Sequence, residues 1–139
     1  MPIVFRVEPV APIWDQVKKN VQSETDFNPD QRMYFELNRN GVLRFYTARI
    51  GNALVGHGGM YVHVPPHTGK VTASDDYWYL APEVRKGWNA ANFMEYVESD
   101  LKGIGVEIII LSATIGSDTG KFIKARGYTP KSVIYEKGL

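Results

Sequence analysis

The chain contains no cysteine. That excludes disulfides, thiolate zinc sites, iron–sulfur clusters and a cysteine nucleophile, and it leaves no mark of an oxidising compartment. An excess of one charge is also lacking, since 16 Lys and Arg stand against 15 Asp and Glu for a net charge of +1. Such a surface has no broad basic field, so no nucleic-acid partner is expected. Long apolar runs are missing too. The most apolar stretch, VEIIILSA at 106–113, falls far short of the roughly 20 residues that cross a bilayer, so no membrane partner is expected. The opening MPIVFRVEPV lacks the basic start and long apolar core of a signal peptide, which makes the expected location cytoplasmic. His57, His63 and His67 match no metal-site spacing, and no metal is expected.

What is present is an ordinary globular composition, 44% hydrophobic and 22% charged over 139 residues, the size of one domain spanning 1–139. Residues 3–8 (IVFRVE) alternate as a strand, and Ile13, Val17 and Val21 follow at helical spacing behind Pro12. After the polar QSETDFNPDQ, a second helix is expected from about Asn28, carrying Met33, Phe35 and Leu37. VLRFYTARI and ALVGHGGMYVHV flank Gly51-Asn52 as a hairpin, and Gly56, Gly58 and Gly59 signal bulges or close backbone approach. The strand VTASDDYWYL ends at Ala81-Pro82. Next comes a helix with Ala90, Phe93, Met94, Val97 and Leu101 along one stripe. EIIILSA reads as a buried strand, GSDTGKFIKARG as a helix stopped by Gly127, and KSVIYEK as a last strand. The expected order is β-α-α-β-β-β-α-β-α-β, an α+β fold with a mixed, mostly antiparallel sheet. The crossover from 72 to 112 makes its two strands parallel.

One junction carries chemistry. In YLAPEVRKGWNA a strand becomes a helix through two cations and a glycine. Unpaired amides and the positive end of a helix dipole meet there, and both favour an anion. Just upstream, Asp75 and Asp76 place two carboxylates on opposite faces if the strand alternates regularly.

That junction and the element order resemble the GNAT acyltransferase superfamily over residues 42–139. The second hairpin (RIGNALVGHGGMYV), the strand and loop DDYWYLAPEVRKGWNA, the strand GVEIIILSA and the ending KFIKARGYTP carry the likeness. The compact form resembles short, phage-encoded members. The resemblance implies an N-acetyltransferase that moves an acetyl group directly from acetyl-CoA to a primary amine, on a small molecule or a protein, in a ternary complex. It implies that the anion is the CoA pyrophosphate, held by Arg85, Lys86, Gly87, Trp88, Asn89 and Ala90. Tyr79 and Leu80 would flank the thioester, with the Leu80 amide facing the oxyanion. Asp76 is the implied base. Apart from the resemblance, His57 on the glycine-rich strand could face the substrate.

The loop departs from the family's Gln/Arg-x-x-Gly-x-Gly/Ala, with Val84, Gly87 and Asn89 at the matching places. Gly116 replaces an asparagine at the start of the last helix, and Ile123 replaces the tyrosine that protonates the leaving thiolate. Tyr128 and Tyr135 are the substitutes on offer. Glu24, Asp26 and Asp30 lie where the family covers its acceptor site, and would suit a cationic amine. These departures also keep open a catalytically silent GNAT-fold protein that binds a macromolecular partner. The apolar VIY of the last strand offers pairing across a homodimer.

Overall fold

The computed structural model describes residues 2–139. Strand β1 (Ile3–Val7) leads through a short 3-10 turn (Ala11–Ile13) into α1 (Trp14–Gln22). Helix α2 (Gln31–Arg39) starts behind Asp30, whose carboxylate accepts from the Met33 amide. That cap sets the start at Gln31, a few residues later than the Asn28 suggested by sequence. The strands β2 (Leu43–Ile50), β3 (Ala53–His63) and β4 (Thr72–Leu80) follow, then a 3-10 turn (Pro82–Val84) and α3 (Asn89–Gly103). The chain continues through β5 (Ile108–Ile110) and α4 (Asp118–Ala125), which Ser117 caps by accepting from the Gly120 amide.

The sheet runs β1-β2-β3-β4-β5, antiparallel except for the β4–β5 pair, which is parallel as the crossover demands. Its two faces bury separate cores, and the alternation of β2 shows why. Leu43 and Phe45 point to one face, where Val10, Trp14, Val17 and Tyr34 pack from the α1–α2 side. Tyr46 and Ala48 point to the other, against Phe93, Val97 and Leu101 of α3. Fully burying one such side chain is worth about 1.5–3 kcal/mol.

Elements through α4 come in the expected order, but KSVIYEK forms no strand. Val133, Ile134 and Tyr135 lie exposed. A strand exists only through its ladder, and residues 131–137 pair with none of the five strands.

Two irregularities of the sheet create the functional geometry. In the first, β5 pairs with β4 only at Thr72, Ala73 and Ser74, and β4 then runs on to Leu80 without it. In the second, Gly58 faces Trp78 and Met60 faces Asp75, so Asp76 and Tyr77 together oppose the single residue Gly59. That is a β-bulge in β4.

Candidate functional site

Where β5 leaves β4, a cleft of about 500 Å³ opens between β4, α3 and α4. Trp78, Leu80, Phe93, Val97, Leu111 and Phe122 give it largely apolar walls, and Arg85 and Ala90 stand among its lining. A groove of about 870 Å³ between the start of α1 and the β2–β3 hairpin is larger but more open. The cation in that groove, Arg49, is held by Glu8, with Nε to Oε2 at 2.8 Å, so the groove offers no free cation. The cleft is therefore the candidate site.

Leu80 stands at the mouth of the cleft. The Ala81 amide donates to Val55 O at 2.8 Å, toward β3. Successive amides of a strand point to opposite edges, so the Leu80 N–H points the other way, into the gap left by β5. The Leu80 carbonyl shares that edge and accepts from Arg85 Nε at 2.6 Å.

The loop beyond is shaped by Gly87, whose φ of +60° suits glycine. Among the described residues, the amides of Gly87, Trp88 and Ala90 have no hydrogen-bond acceptor. They sit at the positive end of α3, a donor set aimed at an anion. Asn89 turns inward and braces the loop through Nδ2 to Val84 O at 3.0 Å. Arg85 lines the cleft, but its guanidinium is engaged. It pairs with Glu24 of the α1–α2 connection and lies over the Tyr79 ring, 5.7 Å from the centroid. Lys86 is exposed and makes no ion pair among the described residues, and Trp88 is 74% exposed.

The two aspartates separate as alternation suggested. Asp75 lines the cleft and accepts from the Ser112 amide at 3.1 Å, which pins the point where the strands part. Burial pushes its carboxyl up. Asp76 faces the α1–α2 side, where Tyr34 Oη donates to one carboxylate oxygen and Tyr61 Oη donates to the other at 3.0 Å. Burial pushes the Asp76 carboxyl up to about 6, although the residue keeps one side open to solvent. The two hydroxyl donors favour the ionised form and oppose that shift.

Strict alternation would put Tyr77 opposite Asp76. The bulge instead brings both to one face, since Asp76 meets Tyr61 while Tyr77 meets His57, two β3 residues that share a face. Sequence reasoning missed Tyr77 because no local signal marks where two residues will oppose one. The nearby glycines were the only hint. His57 does not line the substrate side by itself. It is fully buried, stacked on the Tyr79 ring with centroids 5.0 Å apart. Burial pushes its pKa down to about 3, so it is neutral at any physiological pH.

Of the tyrosines offered for Ile123, Tyr128 lines the cleft beside Ile123 and donates to Glu98 Oε2 at 2.8 Å. Tyr135 is 91% exposed and lines no part of the cleft. No group of three or more potential metal ligands forms among the described residues, and no helix there is long and apolar enough to cross a membrane.

No protein-family model and no curated protein matches the chain. Solved structures do. An aminoglycoside acetyltransferase from an uncultured soil metagenomic sample, in complex with sisomicin, superposes with a TM-score of 0.80 at 15% identity, covering 99% of this chain and 95% of that one. A ribosomal-protein-alanine N-acetyltransferase from Brucella melitensis gives 0.77 at 14%, covering 99% and 100%. A GNAT family acetyltransferase from Staphylococcus aureus gives 0.75 at 14%, with both chains covered in full (100%). Likeness at this level of identity is a likeness of architecture, and what it establishes is that the chain has the GNAT acetyltransferase fold.

Proposed function

We propose that residues 1–139 act as one acetyl-CoA-dependent N-acetyltransferase domain whose acceptor is a primary amine of a small molecule or a protein. The observation that carries this reading is the cleft, whose lining includes Leu80, with its N–H turned away from β3, and Ala90, the last of the three unpaired loop amides. The residues fit the cofactor. Gly87, Trp88 and Ala90 offer amides to a pyrophosphate, Lys86 adds charge, and the apolar walls suit a pantetheine arm. Two neighbours in the fold carry the names of aminoglycoside and ribosomal-protein-alanine acetyltransferases, which supports an amine acceptor.

Bound acetyl-CoA would supply an activated acyl group with a thiolate leaving group. The amine nitrogen would form the new C–N bond as the C–S bond breaks, and the proton it then sheds would go to the departing thiolate. An alkylammonium with a pKa of about 10.4 must first lose a proton, because only about one in 2,500 is neutral at pH 7. Asp76 takes that proton, directly or through water, with a carboxyl raised toward neutrality as a base should be. The Leu80 N–H, fixed by the strand, stabilises the oxygen on which negative charge develops. A thiolate of pKa about 8.5 leaves readily, so Ile123 in place of a tyrosine is compatible with turnover.

A second reading, a silent fold that binds a macromolecule, draws support from Ile123 and from the engagement of Arg85 by Glu24. Calorimetry with acetyl-CoA separates the two. Micromolar binding by the wild type, lost in Gly87→Glu, is the expected result. A folded wild type that binds no acetyl-CoA would exclude the enzyme.

A further inference from the structure

A buried histidine with both ring nitrogens engaged is an expensive core residue, and its hydrogen bonds show what it serves. Gln16 Nε2 donates to Asn20 Oδ1 at 2.8 Å, which fixes the Asn20 amide with Nδ2 toward His57. Asn20 Nδ2 lies 3.1 Å from His57 Nε2, and His57 Nδ1 lies 2.7 Å from Tyr77 Oη. With Asn20 as the donor, Nε2 is the accepting nitrogen, and Nδ1–H donates to the Tyr77 hydroxyl. The imidazole is held flat between Phe45 and Tyr79, with interplanar angles of 21° and 23°. Nothing in this chain of bonds can turn over without breaking the others.

The Tyr77 hydroxyl is therefore left with its own proton and one lone pair, and no other described residue uses either. The β4 bulge sets this hydroxyl on the same face as the Asp76 carboxylate, its sequence neighbour. Phe27 walls the spot, 5.6 Å from the Tyr77 ring. A lone pair, a carboxylate and an aromatic face together suit an aliphatic amine, which donates hydrogen bonds from nitrogen and carries an apolar stem.

We propose that Tyr77 binds and orients the acceptor amine beside Asp76, and that His57 is a positioning residue that fixes the Tyr77 hydroxyl for that contact. The inference rests on the acetyltransferase reading, and adds to it the residue that sets the amine's direction. Tyr77 contributes to binding equally before and during transfer, so its loss falls on KM.

The test is thiol release from acetyl-CoA with n-propylamine as the acceptor probe, for wild type, Tyr77→Phe, His57→Phe and His57→Asn. Tyr77→Phe should raise KM for propylamine about tenfold, the worth of one neutral hydrogen bond, with kcat little changed. His57→Phe keeps the aromatic stack but removes the donor, and should reproduce that KM. His57→Asn restores an N–H near the Nδ1 position and should recover most of the loss. A purely structural role would lower the melting temperature without this KM pattern or its recovery. An unchanged KM in Tyr77→Phe overturns the proposal while leaving the acetyltransferase reading intact. Acetyl-CoA binding with no propylamine turnover by the wild type overturns the amine assignment of this face. Absence of acetyl-CoA binding overturns the acetyltransferase reading itself, and the proposal with it.

Discussion

Removing Asp100 should loosen the helix that carries the loop proposed to hold the cofactor. Asp100 lies in the last turn of α3, where a negative charge opposes the helix dipole. It is kept there by β2. Arg44 grips it with Nε and Nη2 at 2.5 and 2.8 Å, and Tyr46 Oη donates to it at 2.6 Å. The pair is largely covered, with side chains 18% and 30% exposed for Asp100 and Arg44, so it exceeds a surface ion pair.

Asp100→Ala strands the fully buried Tyr46 hydroxyl and a mostly covered guanidinium, at about 2–3 kcal/mol. Unfolding entropy of about 2.1 cal/mol/K per residue over 139 residues makes 1 kcal/mol worth roughly 3.4 °C. The melting temperature should therefore fall by about 7–10 °C at pH 7. The Arg44 guanidinium holds the Asp100 carboxyl below its usual range. A depressed carboxyl stabilises above the unfolded pKa of about 3.9 and loses that contribution as pH drops through the folded value. The gap between wild type and Asp100→Asn should therefore be full at pH 7 and smaller at about pH 3, below the unfolded pKa. The assay is thermal unfolding by circular dichroism at both pH values. A loss below about 2 °C for Asp100→Ala, under 1 kcal/mol on the same scale, would refute this account. So would a gap that ignores pH.

Two further perturbations probe the site from either side. In Gly58→Ala the new Cβ would stand 2.0 Å from Trp78 Cε3, so the indole, which lines the cleft, must shift. A stability loss of about 1–3 kcal/mol is expected, with weaker acetyl-CoA binding in calorimetry, and wild-type values for both would refute the close approach. In the proposed mechanism the base is ionised Asp76, so kcat/KM should rise with pH through an inflection near the raised pKa of about 6. Asp76→Asn should abolish that inflection and most turnover while acetyl-CoA affinity stays, and a profile unchanged in the variant would remove Asp76 from proton transfer.

The sequence was most readable where one residue type has one physical use. Gly56, Gly58 and Gly59 looked like places of close approach. Added Cβ atoms there would meet Leu80 Cδ2 at 2.6 Å, Trp78 at 2.0 Å and Leu43 Cδ1 at 2.8 Å. Gly87 likewise holds a positive φ that its loop requires. Pairings across long sequence separations were not readable, because they depend on register. Tyr34 reaches Asp76 across 42 residues and Asn20 reaches His57 across 37, and no local pattern foretells either. KSVIYEK misled for the opposite reason. Its β propensity is real, but propensity describes how a residue suits a pleated surface and cannot supply the neighbouring strand.

The bulge in β4 and the departure of β5 are best understood as two parts of one device. A strand with regular alternation and a full ladder on both edges has no free amide and shows each face only every second side chain. Ending the β5 ladder at Ser74 frees the Leu80 N–H toward the cleft. The extra residue opposite Gly59 sets Asp76 and Tyr77 together on the other face. The same nine-residue strand thus offers a free N–H on its open edge, and a carboxylate and a hydroxyl on one face. Their separation is fixed by backbone geometry, so flexible side chains need not hold it. On this view the most damaging change to catalysis would be one that straightens β4, even if every named side chain remained in place.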